Sequence, residues 1–314
     1  MTIRPFDWRD LPILLRYRHH ALFFDNALVL TRGQTWIPAG AVLSYFAPAT
    51  GVFTYLLSHD RDNDLPLMGQ VIHAAGSQIA RLSFLAPEAA IKSQALPSLI
   101  DHMITQIGGR GAFHLLAEVD ERTIAFEMLR QASFAIYVRQ RVWQLNGEPV
   151  AESNPSLWRA STSKDLIAVR SLYNNLVPGL VQQVEPPPAD HLHGMVYRKG
   201  DELLAYAELR YGLRGIWVHP FIHPDAEDVI IQLVDRMRNL PNRRSRPIYL
   251  CVRSYQSWLE NALEELGAAA GPLQAVMVKH LAIAKRVGRT FALPALEGGQ
   301  PEATAPFAQS ESKK

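Results

Sequence analysis

A single cysteine, Cys251, stands in the 314 residues, so no disulfide can close within the chain. It lies in a β-branched and aromatic run, where a thiol serves as core filler rather than nucleophile. Neither sign of charge dominates: 32 basic and 30 acidic residues leave a net charge of +2, and the basic residues form no long run. The sequence therefore holds no electrostatic source of attraction to nucleic acid or to an anionic membrane. No apolar stretch reaches the roughly 20 residues that span a bilayer, and MTIRPFDWRD lacks the apolar centre of a secretion signal. The expected location is the cytoplasm. A phosphate-binding P-loop, a G-x-S-x-G elbow and a CxxC motif are also missing. What is left, 48% apolar and 20% charged residues, is the composition of a globular protein long enough for two domains.

The strongest pattern is internal. His114 to Val119 reads as a strand, and Asp120 and Glu121 place acceptors at the start of a helix. Ile124, Ala125, Met128, Leu129 and Ala132 then form one buried helical stripe, and Phe134 to Leu145 returns as a strand. The same stripe recurs as Trp258, Leu259, Ala262, Leu263 and Leu266, each 134 places later. Leu99-Ile100-Asp101-His102-Met103 matches Leu233-Val234-Asp235-Arg236-Met237 at that same spacing, and Ser133 falls on Gly267 at the helix exit. One spacing held through two helices marks an internal duplication.

The copies also open alike. Ile3 to Phe6 and Trp158 to Ser161 read as strands, followed by helices capped by Asp10 and Asp165. Those caps are 155 apart, so the first copy carries 21 additional residues, placed between Asp25 and Pro48. That insertion reads as a lid or wall over a pocket, or as an extra helix on the core. Three strands follow in each copy: Gly51–Leu57, Leu67–Ala74 and Ala80–Leu85 in the first, Met195–Arg198, Glu202–Arg210 and Gly215–His219 in the second. Charged turns at Asp60–Asp64 and Lys199–Asp201 join the first two strands of each set. The expected division is 1–147, 156–285 and a disordered tail at 287–314, with Asn146 to Pro155 as linker.

The order strand, helix, three strands, helix, strand, helix, strand, with IRPFDWRDLPILL and HLLAEVDERTIAFEMLRQASFAIYVRQ as its best segments, resembles the GNAT superfamily of acyl-CoA-dependent N-acyltransferases. The resemblance implies an α/β (α+β) chain of two tandem domains, each a mixed, mostly antiparallel sheet flanked by helices. It implies acetyl-CoA or another acyl-CoA as cosubstrate and a small-molecule or protein amine as acceptor; the charge balance and the short apolar runs lead to the expectation of no nucleic-acid or membrane partner. The family's glycine-rich pyrophosphate loop falls on Ala90 to Ala95, where only Ala95 keeps the pattern. The implied first-copy site is Phe84, Leu85 and Ala86, whose backbone would polarise the thioester, with Lys92, Ser93, Gln94 and Ala95 at the diphosphate. In the second copy the loop becomes Pro224 to Val229. Its Asp225, Glu227 and Asp228 repel a diphosphate, so this copy is expected not to bind CoA in the family's manner. The family's proton-donating tyrosine is replaced by Leu129 and Leu263.

Other groups carry chemistry on paper. Glu118, Glu208 and His219 are candidate bases, and Tyr137 and Tyr206 candidate acids, although a solvated strand face or core packing explains each more simply. His191-x-His193, His219 with His223, and His19-His20 lack the further ligands of a metal site. Two readings stay open: an N-acyltransferase using acyl-CoA in the first copy, or a catalytically inactive fold kept for binding or docking.

Overall fold

The computed structural model describes residues 1–34, 40–42, 45, 50–58, 65–146, 157–226, 229–240 and 243–281. The expected tail, nearly all of the linker, the turn at Asp60–Asp64 and much of the 25–48 insertion lie outside the described residues.

The first copy runs β1 (Thr2–Pro5), α1 (Leu11–Tyr17), β2 (Leu22–Phe23), α2 (Asn26–Arg32), β3 (Val52–Ser58), β4 (Leu67–His73), β5 (Ile79–Ala86), α3 (Leu96–Gly108), β6 (His114–Asp120), α4 (Ile124–Gln131) and β7 (Ala135–Leu145). The second runs β8 (Trp158–Ala160), α5 (Leu166–Leu176), α6 (Gly179–Val184), β9 (Gly194–Lys199), β10 (Glu202–Tyr211), β11 (Ile216–Ile222), α7 (Val229–Arg238), β12 (Ile248–Arg253), α8 (Leu259–Glu265) and β13 (Ala269–His280).

The duplication is visible in local chemistry. Asp10 accepts the Asp7 N–H at 2.8 Å and both terminal nitrogens of Arg4 at 2.6 Å. Asp165 accepts the Thr162 N–H at 2.9 Å and the Arg159 guanidinium at 2.7 and 2.9 Å. The two carboxylates close the same box at the same helix entry. At the exits of α4 and α8, Ser133 and Gly267 share the left-handed conformation, with φ of 66° and 73°.

Among the described residues the strands form one 13-stranded sheet in the order β1-β3-β4-β5-β6-β13-β7-β12-β11-β10-β9-β8, with β2 added against β5. Pairing is antiparallel except at β5/β6 and β11/β12. The last strands are exchanged: β13 lies between β6 and β7, while β7 lies beside β12. Their side chains follow, Ala275 and Met277 joining the first copy's core and Trp143 and Leu145 the second's. A division near 147 therefore follows the chain, while each sheet half is finished by a strand from the other copy.

The insertion opens with α2, directly after β2. Helix α2 packs Ala27 and Leu30 against Trp217, Cys251, Val142 and Tyr249. It thus packs on the core, in the chain position that α6 holds in the second copy, and through Ala27 it forms part of a cavity wall.

Candidate functional site: two closed clefts and a charged cavity

In each copy the two parallel strands pair over only three residues. Ile79 to Arg81 pair with His114 to Leu116, and Ile216 to Val218 with Ile248 to Leu250. Beyond these, each pair separates and leaves a cleft.

The first cleft is filled by main chain. Leu22 and Phe23 pair with Leu85 and Phe84, and on the other edge of β5 Gly69 and Gln70 pair with the same two residues. Phe24 then bridges the gap: its N–H donates to the Ser83 carbonyl at 3.0 Å, and its carbonyl accepts the Glu118 N–H at 2.8 Å. Phe84, Leu85 and Ala86 are wholly buried, with ladders on both edges at Phe84 and Leu85. The following loop spends part of its own N–H groups. The N–H groups of Ile91, Ser93 and Leu96 donate to carbonyls within the loop, and that of Ala95 to Ser93 Oγ. Ile91 and Ala95 are buried in the core, while Lys92 and Gln94 are exposed.

The second cleft is filled by a side chain. Gln256, fully buried, donates from Nε2 to the Pro220 carbonyl and accepts the Ile222 N–H at Oε1, both at 2.8 Å. Asp225 is exposed near the cleft mouth, its Oδ2 3.6 Å from His223 Nδ1. An acyl-CoA arm needs an open strand edge for its amides and free N–H groups for its diphosphate. Neither cleft presents an open strand edge, so the residues present do not fit the acyl-CoA arm as the GNAT resemblance implies.

Between these clefts, on one face of the sheet, lies a cavity of about 320 Å³. Antiparallel and parallel registers place Arg81, Glu118, Gln274, Gln140, Arg253, His219 and Glu208 on that face, strand after strand. The row is bonded across the junction of the copies. Arg81 Nη1 donates to Glu118 Oε1 at 3.3 Å, and the Asn26 N–H and Nδ2 donate to Glu118 Oε2 at 3.0 and 2.8 Å. Asn26 Nδ2 and Gln140 Nε2 both donate to Gln274 Oε1, at 2.9 and 3.0 Å, and the Cys251 thiol donates to Gln140 at 3.3 Å. All three candidate bases, Glu118, Glu208 and His219, line this cavity, as does Tyr206.

Further groups come from α5 and the segment after α6. Glu185 accepts the Tyr137 hydroxyl and pairs with Arg253 Nη2 at 3.1 Å, and the Tyr173 hydroxyl donates to the Glu185 carbonyl at 2.6 Å. Burial alone would raise the Glu185 carboxyl, but Arg253 and Arg81 outweigh it and push it down to about 2. Burial, helped by the positive charge of Arg253, pushes His219 down to about 4, so its imidazole is neutral at pH 7. Burial pushes Cys251 up to about 12, which removes it as a nucleophile and keeps it as packing. His191 and His193 also line the cavity, but the described residues hold no group of three or more His, Cys, Asp or Glu able to bind a metal. Glu185, Arg253 and Gln256 were not expected as site residues. The buried charge of Glu185 sits in a proline-rich segment, and nothing local in the sequence marks it.

Two copies of this strand–helix layout, with parallel strands parting into a cleft, define the fold of a tandem GCN5-related N-acetyltransferase. The chain is similar to a GCN5-related N-acetyltransferase from Sphaerobacter thermophilus, with a TM-score of 0.53 and 11% identity, covering 89% of this chain and 95% of that one. It is also similar to a tandem GNAT protein from the clavulanic acid biosynthesis pathway, solved without AcCoA, with a TM-score of 0.51 and 12% identity over 90% and 99% of the two chains. No family model and no curated protein matches the sequence. No helix among the described residues is long and apolar enough to cross a membrane.

Proposed function

We propose that this chain keeps the acyltransferase fold as a ligand-binding module, with the charged cavity as its binding site, in place of acyl-CoA-dependent N-acyl transfer. The observation that carries the reading is the closure of both clefts by the protein's own groups, Phe24 in one and Gln256 in the other. The replacement of the family's tyrosine by Leu129 and Leu263, both in the core, supports it. Isothermal titration of acetyl-CoA into the whole chain tests it. The expected result is no saturable heat. Micromolar binding that is lost in Lys92→Glu would restore the transferase reading and the site at Lys92 to Ala95.

One observation favours a second reading, N-acyl transfer in the second copy. Its cleft is closed by a side chain, which can rotate, and Glu208 and His219 face each other across β10 and β11 where an amine would give up its proton. Acetyl-CoA binding that appears on replacing Gln256 by alanine, with loss of turnover in Glu208→Gln, is the outcome that supports this alternative.

A further inference from the structure

Three cation–anion pairs surround the cavity: Arg81 with Glu118 at 3.3 Å, Arg253 with Glu185 at 3.1 Å, and Arg210 with Glu208 at 3.0 Å. The first two pairs are largely buried and the third half-exposed; buried charge pairs seldom repay their desolvation, so stability alone does not account for them. Their hydrogen-bonding capacity is unevenly used. Both oxygens of Glu118 and of Glu185 accept hydrogen bonds. Glu208 receives Arg210 on Oε1 alone, and its Oε2 has no partner among the described residues. Arg253, 4% exposed, keeps Nε and Nη1 without partners, and so does His219 at Nε2. The unspent groups are therefore a carboxylate oxygen at one end and guanidinium donors at the other. They sit on β10 and β12, two strand spacings or roughly 10 Å apart at the backbone, with the neutral His219 between. Tyr206 and Phe221, stacked at 6.1 Å, wall the space.

Resting on the binding-module reading, we infer that the cavity takes a small zwitterion, its carboxylate directed to Arg253 and its ammonium to Glu208. A ligand carrying both charges meets the open groups at both ends, whereas a singly charged one meets only one of them.

The test is calorimetric titration of the whole chain with β-alanine, 4-aminobutyrate and 6-aminohexanoate, with butyrate and butylamine as singly charged controls. One amino acid is expected to bind at least about tenfold more tightly than either control. Glu208→Gln is expected to remove that margin while leaving the circular dichroism spectrum unchanged. Arg253→Gln should abolish all binding, and the Glu208 variant keeps the test decisive if that protein fails to fold. Butyrate binding equal to the best amino acid overturns the zwitterion and leaves the cavity as an anion site. Silence from every probe overturns the proposal. If acetyl-CoA also binds, the reading beneath it falls as well.

Discussion

Gln140 and Gln274 occupy the same place in the two copies, 134 positions apart, and they face each other: Gln140 Nε2 donates to Gln274 Oε1 at 3.0 Å. Their backbones are partners in the β7/β13 register. Equivalent residues meet in this way only at a two-fold axis, so the chain is built like a dimer whose subunits have exchanged their last strands. The axis runs through the polar row beside the cavity, which explains why that site draws on both copies.

That exchange predicts that the copies cannot fold alone. A fragment ending near 146 leaves the edge of β6 without β13 and carries β7 with no partner strand. Expressed separately, it should be insoluble or should dimerise by exchanging β7 with a second copy. Light scattering on the fragment and on an equimolar mixture with 157–281 checks this, the mixture being expected to give one compact species. A stable monomeric fragment would contradict the strand order.

The buried titrating groups predict acid sensitivity with a definite sign. His219 is held neutral with its pKa lowered to about 4, so the unfolded chain takes up that proton first. Its contribution is complete above the unfolded value near 6.5 and is lost as pH falls from there to about 4, a change of about 3 kcal/mol. Glu185, held ionised to about 2, adds a loss of similar size between roughly 4.5 and 2. Urea midpoints measured from pH 7 to pH 4 should fall in wild type and fall distinctly less in His219→Gln. Equal slopes would show that His219 is solvated.

How far this was legible from the sequence depended on what each signal required. Repeated stripes such as Ile124–Ala132 and Trp258–Leu266 carried the duplication, because helical period and helix caps are local. Strand exchange left no mark, since β7 and β13 have the same alternation whichever sheet half they complete. Glu208 beside Ala207 and Leu209 reads as a solvated strand face, and only the register against His219 turns it into a cavity wall. Closure of the clefts was equally hidden. Phe24 and Gln256 act through backbone groups of Ser83, Glu118, Pro220 and Ile222, none of them close in sequence to the residue that caps them.

The two helix-entry carboxylates give an internal comparison. Asp10 is held by Arg4 and the Asp7 N–H, whereas Asp165 is held by Arg159, Arg198, the Thr162 N–H and the Thr162 hydroxyl. Both carboxyls lie below the usual carboxylate range. Burial opposes this in each, and for Asp165 the Arg159 hydrogen bond is the largest cause. Replacing Asp165 by asparagine should cost about 3 kcal/mol and the same change at Asp10 roughly half of that, because more donors are stranded at Asp165. Denaturant midpoints of the two variants measured side by side decide it. A larger loss at Asp10 would mean that the added partners of Asp165 contribute nothing.

The last prediction concerns Gln256, whose amide fills a gap between two strands. Gln256→Ala removes both hydrogen bonds and leaves the Ile222 N–H and the Pro220 carbonyl buried without partners. Each stranded group costs about 1–3 kcal/mol, so the variant should lose roughly 2–5 kcal/mol unless water enters. Gln256→Glu keeps an acceptor for Ile222 but sets an anion against the Pro220 carbonyl, and it should be at least as damaging near pH 7. The neutral acid can again donate to Pro220, so the glutamate variant should regain stability as its carboxyl protonates. Its unfolding midpoint should therefore rise, relative to that of Gln256→Ala, as pH is lowered from 7 to 5. A variant that tracks the alanine protein at every pH would show that the Gln256 side chain does not span the cleft in solution.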